Sequence, residues 1–141
     1  IGCAGKVIEF SETTDGRYLI SLQGIARFSV TEEMSVMTGF RQIKPSWDAY
    51  KGDLQNTTAL SLDRTKLNDL LARFFEKNGM QCDWSAIDKT DDSSLITILS
   101  MTCPLNAGEK QALMEAKTCA ERADIFMSLL EMAHNDGQAK H

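Results

Sequence analysis

Histidine is nearly absent from this chain. Only His134 and His141 occur, both close to the C-terminal end of a 141-residue sequence. A Ser–His–Asp type triad needs a histidine held between nucleophile and orienting acid, and a histidine-rich metal site needs several. Two histidines seven residues apart at one end supply neither, and His134 reads better as a cation near a helix C-terminus. Cysteine is scarce in the same sense. Cys3, Cys82, Cys103 and Cys119 include no CxxC pair, which argues against a zinc site or a disulfide framework and for reduced thiols in a cytoplasmic protein. There is no GxSxG elbow. Gly2-Cys3-Ala4-Gly5-Lys6-Val7 falls short of a phosphate loop, which needs four residues between its glycines and Ser or Thr after Lys. No apolar run reaches the roughly 18–20 residues of a membrane span, and no signal peptide is visible. Basic clusters are missing too. Lys and Arg number 15 against 20 Asp and Glu, a net charge of −5. Nucleic-acid phosphates call for the opposite balance. The expectation is therefore no cofactor, no metal, no nucleic acid and no membrane.

What is present changes character once. The first third reads as strands and turns, the rest as helices. Val7–Phe10 and Tyr18–Leu22 are strand-like and flank Asp15-Gly16, a hairpin signal because Gly accepts positive φ without steric cost. Tyr18, Ile20 and Leu22 share one face. Gly24 marks a break or a bulge. Further extended stretches are expected over Ile25–Val30, Met34–Phe40 and Arg41–Trp47, with Pro45 restricting the last to an edge or strand end. Glu32-Glu33 is expected in a turn. Lys51–Ser61 reads as a linker. Its Asn56-Thr57-Thr58 matches a glycosylation sequon by chance.

The helical pattern starts after Ser61, a candidate cap. Leu67, Leu70, Leu71, Phe74 and Phe75 fall at i, i+3, i+4, i+7 and i+8, one apolar stripe facing a core, and Asn78-Gly79 ends that helix. Asp83 caps a short turn. Asp92 or Ser93 starts a third helix that stops before Pro104. Asn106 opens a fourth. Thr118 to Glu121 has the form of a capping box and begins a fifth. The adjacent acids Asp91-Asp92 fit helix-start chemistry rather than catalysis. The expected organisation is a β lobe over 1–50, a linker over 51–61, a helical lobe over 62–135 and a frayed end over 136–141.

One group of side chains stands out by composition. Met34, Val36, Met37 and Phe40 form an apolar cluster in a polar, irregular stretch. Methionine is flexible and polarisable and suits surfaces that accept many sequences. These four are the candidate substrate-binding residues; the competing reading is that they cover an end of the β lobe or pack on the helical lobe.

Taken in order, Gly2-Cys3-x-Gly5-x-Val7, Asp15-Gly16-Arg17-Tyr18 and Leu22-x-Gly24-x-x-Arg27-Phe28-x-Val30 resemble the middle of the N-terminal, substrate-binding domain of Lon, the ATP-dependent protease La. In the helical half, Asp83-Trp84, Pro104 and Glu109-Lys110-Gln111-Ala112-Leu113-Met114-Glu115-Ala116 resemble its short stand-alone bacterial members. The similarity runs from about Gly2 to Ala133. Two departures go with it. The family's opening strand would lie upstream of Ile1, so the chain reads as a fragment. Gly39-Phe40 stands where many members have Pro-Tyr.

The resemblance implies an α+β fold: a small, twisted, partly closed β-sheet lobe, truncated on its N-terminal side, then a helical bundle. It also implies a non-catalytic recognition role in protein quality control and proteolysis, binding unfolded or damaged polypeptides. Neither the ATPase module nor the Ser–Lys peptidase module of the full protease is in this chain. Unpaired strands would favour self-association through an exposed sheet edge. The alternative is a small-molecule or RNA-binding module on a similar β lobe.

Overall fold

The computed structural model describes residues 1–54 and 60–135 and divides the chain into two units, Ile1–Thr57 and Thr58–His141. The expected frayed end at 136–141, the middle of the expected linker and the sequon Asn56-Thr57-Thr58 lie outside the described residues.

The first unit is a three-stranded antiparallel sheet in the order β1-β2-β3, open rather than closed, formed by β1 (Gly2–Glu12), β2 (Tyr18–Met34) and β3 (Gln42–Ser46). The Asp15-Gly16 signal does produce a hairpin. Gly16 has φ 78°, and its N–H donates to Thr13 O at 3.0 Å while Thr13 N–H donates to Arg17 O at 2.8 Å. Strand β2 does not break at Gly24. It carries a bulge there instead: Ala4 pairs with Ala26 and Gly5 with Gly24, so Ile25 is the extra residue. A second bulge leaves Ile8 unpaired between Val7 and Glu9. Tyr18–Phe28 of β2 form their ladder with β1, and Ser29–Met34 form theirs with β3.

Three expectations are corrected in this unit. Glu32 and Glu33 lie in β2, opposite Lys44 and Ile43, because cross-strand partners of opposite or neutral character allow two acids in a ladder. Met34–Phe40 is not an extended strand. After Met34 the chain leaves the ladder and has no regular structure until Gln42. Lys51–Leu54, expected in the linker, belong to a 3-10 helix over Asp48–Leu54, interrupted at Tyr50.

That helix closes over one end of the sheet. Asp53 takes three hydrogen bonds from Arg27, from its backbone N–H (3.0 Å), Nε (2.8 Å) and Nη2 (2.6 Å). The guanidinium also lies 4.5 Å from the centre of the Tyr50 ring. Ala26, Arg27 and Tyr50 are the buried residues of the unit's described part. Phe28 packs its ring edge-on against Trp47 and lies across Gly2, where a Cβ would sit 2.5 Å from the ring.

The second unit buries far more. Helices α1 (Arg64–Lys77), α2 (Trp84–Lys89), α3 (Asp92–Thr102), α4 (Ala107–Glu115) and α5 (Cys119–Asn135) enclose Leu67, Leu71, Phe74, Phe75, Leu95, Ile96, Leu99, Leu113, Phe126 and Leu130. Leu70 is partly buried against them, so the α1 stripe faces the core as its spacing predicts. Gly79 takes φ 63° past the end of α1, and Met80 N–H reaches back to Phe75 O at 2.9 Å.

Caps set the helix starts. Asp83 accepts from Ala86 N–H, and Asn106 forms a full capping box with Glu109. Thr118 accepts from Glu121 N–H at 3.1 Å, while the Glu121 carboxylate reaches Lys117 N–H rather than that of Thr118. The α1 cap is Asp63, not Ser61, and α3 is capped by Asp91. The displacement has a cause. The Leu62 N–H is already held by Asp92, 3.1 Å away, and Arg64 donates to Asp92 (2.5 Å), Ile87 O (3.1 Å) and Thr90 O (2.6 Å). The helix therefore begins within this anchor, at Arg64.

Candidate functional site

The four sequence-predicted residues fall in and beside one loop. Met34 ends β2 opposite Gln42, and Val36, Met37 and Phe40 follow in the irregular segment before β3. Met37 is fully exposed, Phe40 and Met34 are largely exposed and Val36 is half-buried. The base of the loop is fixed. Arg41 donates Nε and Nη2 to the two Glu33 oxygens at 2.6 and 2.7 Å, a two-pronged bridge across the loop's feet. That hydrogen bonding holds the Glu33 carboxyl below its ordinary pKa. At the tip, Thr38 Oγ1 donates to Phe40 O at 2.9 Å. A fixed base thus presents two sulfur-containing side chains and an aromatic ring to solvent. It can make apolar contact.

A second apolar surface went unassigned in the sequence. Pairing places Val7 beside Leu22 and Phe10 beside Ile20, and Tyr18 follows on the same face. The Phe10 and Tyr18 rings stack with centres 5.1 Å apart. All five are exposed, between 52% and 62%. The alternation of Tyr18, Ile20 and Leu22 was a visible signal; that nothing among the described residues of the unit covers them was not.

The remaining chemistry is sparse. His134 lies in the last turn of α5, its Nε2 3.5 Å from Arg73 Nη1, and Lys77 donates to Ala133 O close by. These groups line a shallow cleft with Phe74 and Leu130. His141 lies outside the described residues. Burial pushes the Cys103 thiol up to about 11, away from nucleophilic use. Among the described residues no three His, Cys, Asp or Glu side chains gather as a metal site would require, and no helix is long and apolar enough to cross a membrane.

No curated protein matches the chain. The family model for the ATP-dependent protease La (LON) substrate-binding domain matches residues 1–132. That span takes in the hairpin, the bulged β2 strand, the exposed loop and almost all of the helical unit. An antiparallel sheet followed by helices is the α+β order that the motifs implied, although the described sheet is open where a partly closed one was expected. By this match and this fold, the chain belongs to the substrate-binding domain family of ATP-dependent protease La.

Proposed function

We propose that this domain recognises unfolded or damaged polypeptide segments, and that Met34, Val36, Met37 and Phe40 make the apolar contacts. The observation that carries the reading is the loop itself: large apolar side chains held out to solvent above a fixed Glu33–Arg41 base. Unfolded segments expose the apolar side chains and unpaired backbone groups that folded proteins hide. Methionine and phenylalanine on an adaptable loop match the first without demanding one sequence. The second finds partners along β2, whose two halves are each laddered to a different strand, and along the edge strands β1 and β3. Recognition of this kind needs neither ATP hydrolysis nor peptide cleavage by the chain.

Fluorescence anisotropy with a labelled, permanently unfolded polypeptide tests it. A Met37→Ser, Phe40→Ser chain, altered only at exposed positions, should bind at least tenfold more weakly than the parent. A labelled single-stranded RNA serves as the second ligand. Equal binding by parent and variant would remove the loop from the site. RNA binding tighter than polypeptide binding would overturn the reading.

A further inference from the structure

The chain has seven methionines, and their exposures differ sharply. Met37 is fully exposed, at 107%. Met101 and Met132 follow in the helical unit at 65% and 53%, and Met34 is 48% exposed. The remaining three are half-buried in the helical unit. A thioether is oxidised where an oxidant can reach its sulfur, so this ranking is also a ranking of reactivity. Two of the four open sulfurs stand at the loop between β2 and β3. What holds that loop uses neither of them. The Glu33–Arg41 bridge ties its base, Thr38 Oγ1 donates to Phe40 O, and Met34 pairs with Gln42 in the ladder. The shape of the loop therefore does not depend on the state of either sulfur.

We propose, on the footing of the recognition role given above, that Met37 and Met34 are an oxidation site through which hydrogen peroxide switches the loop from binding to non-binding. The thioether sulfur attacks one peroxide oxygen. An S–O bond forms, the O–O bond breaks, and the second oxygen leaves as water with both protons. Sulfur gives up two electrons and the peroxide takes them. One thioether and one peroxide thus yield one sulfoxide and one water. The product carries a strong hydrogen-bond acceptor where the loop offered an apolar tip. An apolar client side chain supplies no donor, and an acceptor buried without one is costly. The change is reversible. Two thiols reduce the sulfoxide to the thioether and leave as a disulfide, with one water. Because the Glu33–Arg41 base is untouched, oxidation alters what the loop offers and not where the loop stands.

The test treats the whole chain with hydrogen peroxide at about pH 5, where thiols are protonated and slow while thioethers, which carry no proton, still react. Peptide mass spectrometry follows each methionine. Met37 should oxidise first, and Met101 and Met132 next. Anisotropy with the labelled unfolded polypeptide should show affinity falling about tenfold as the loop sulfurs are consumed. Methionine sulfoxide reductases supplied with thiol should restore it. A Met34→Leu, Met37→Leu chain keeps apolar side chains of similar volume, and should bind like the parent both before and after peroxide. A Met101→Leu, Met132→Leu chain should lose affinity as the parent does. Trp47 emission checks that the sheet unit stays folded throughout. A parent that keeps its affinity once Met37 is a sulfoxide overturns the proposal. So does a Met34→Leu, Met37→Leu chain that loses affinity to peroxide, or a Met37 that oxidises no faster than the half-buried methionines. A reduced parent that binds no polypeptide overturns the recognition reading itself, and the switch with it.

Discussion

Replacing Asp53 with alanine puts the structure of the sheet unit to its most direct test. Arg27 sits with its side chain 9% exposed, and Asp53 accepts three of its hydrogen bonds. Deleting one partner of a buried ion pair costs about 3–5 kcal/mol, because the remaining charge is left in a poor solvent. Here Asp53 is 22% exposed, so water reaches the vacated space, and Tyr50 still presents its ring to the guanidinium. The expected loss is thus about 2–3 kcal/mol. It should fall on the sheet unit. The chain has two tryptophans, Trp47 in that unit and Trp84 in the helical one. In a Trp84→Phe background, Trp47 emission during urea unfolding follows the sheet unit alone. Adding Arg27→Met to an Asp53→Leu chain should recover much of the loss, since an apolar pair leaves no charge behind. A loss below ~0.5 kcal/mol for Asp53→Ala would show that the 3-10 helix is not held by this pair.

In the helical unit, Phe74→Ala empties a site enclosed by the core and should lower stability by about 3–5 kcal/mol, read from Trp84 emission in urea. A loss below ~1 kcal/mol would mean that the α1 stripe is not packed. Thiol labelling at pH 8 should modify the exposed Cys3 within minutes and leave Cys103 untouched until the helices unfold. The same burial raises the folded pKa of Cys103 from 9.0 to about 11, so the folded state holds its proton more tightly than the unfolded state does. That contribution is fully present below pH 9 and is lost as pH rises through about 11. Urea midpoints of the helical unit should therefore decline across this window, and a Cys103→Ala chain should decline less.

Local features were legible in the sequence because their causes are local. Asp15-Gly16 makes its turn from two residues, and the Leu67–Phe75 stripe needs only helical spacing to find a core. Asn106 and Asp83 cap helices through groups three residues away. The failures share a longer reach. Asp53 looked like linker because its partner lies 26 residues earlier. Ser61 looked like a cap because the hold of Asp92 on Leu62, 30 residues apart, cannot be read from spacing. Glu32 and Glu33 looked like a turn because Lys44 and Arg41, which accommodate them, arrive only when β3 folds back. The candidate loop residues were visible by composition alone. The hairpin face was visible as alternation, but alternation also describes a covered sheet, so its exposure had to come from the structure.

The Asp92 anchor bears on how force travels through the protein. The described part of the helical unit begins at Leu60, and within a few residues Leu62 and Arg64 are tied to the start of α3 and the end of α2. Tension drawn along the backbone into the helical unit reaches Leu62 first and then Arg64, the first residue of α1. Four hydrogen bonds, three of them from one guanidinium, then share the load among three helices. The first turn of α1 is spared from unravelling residue by residue, and the helical unit resists as a block.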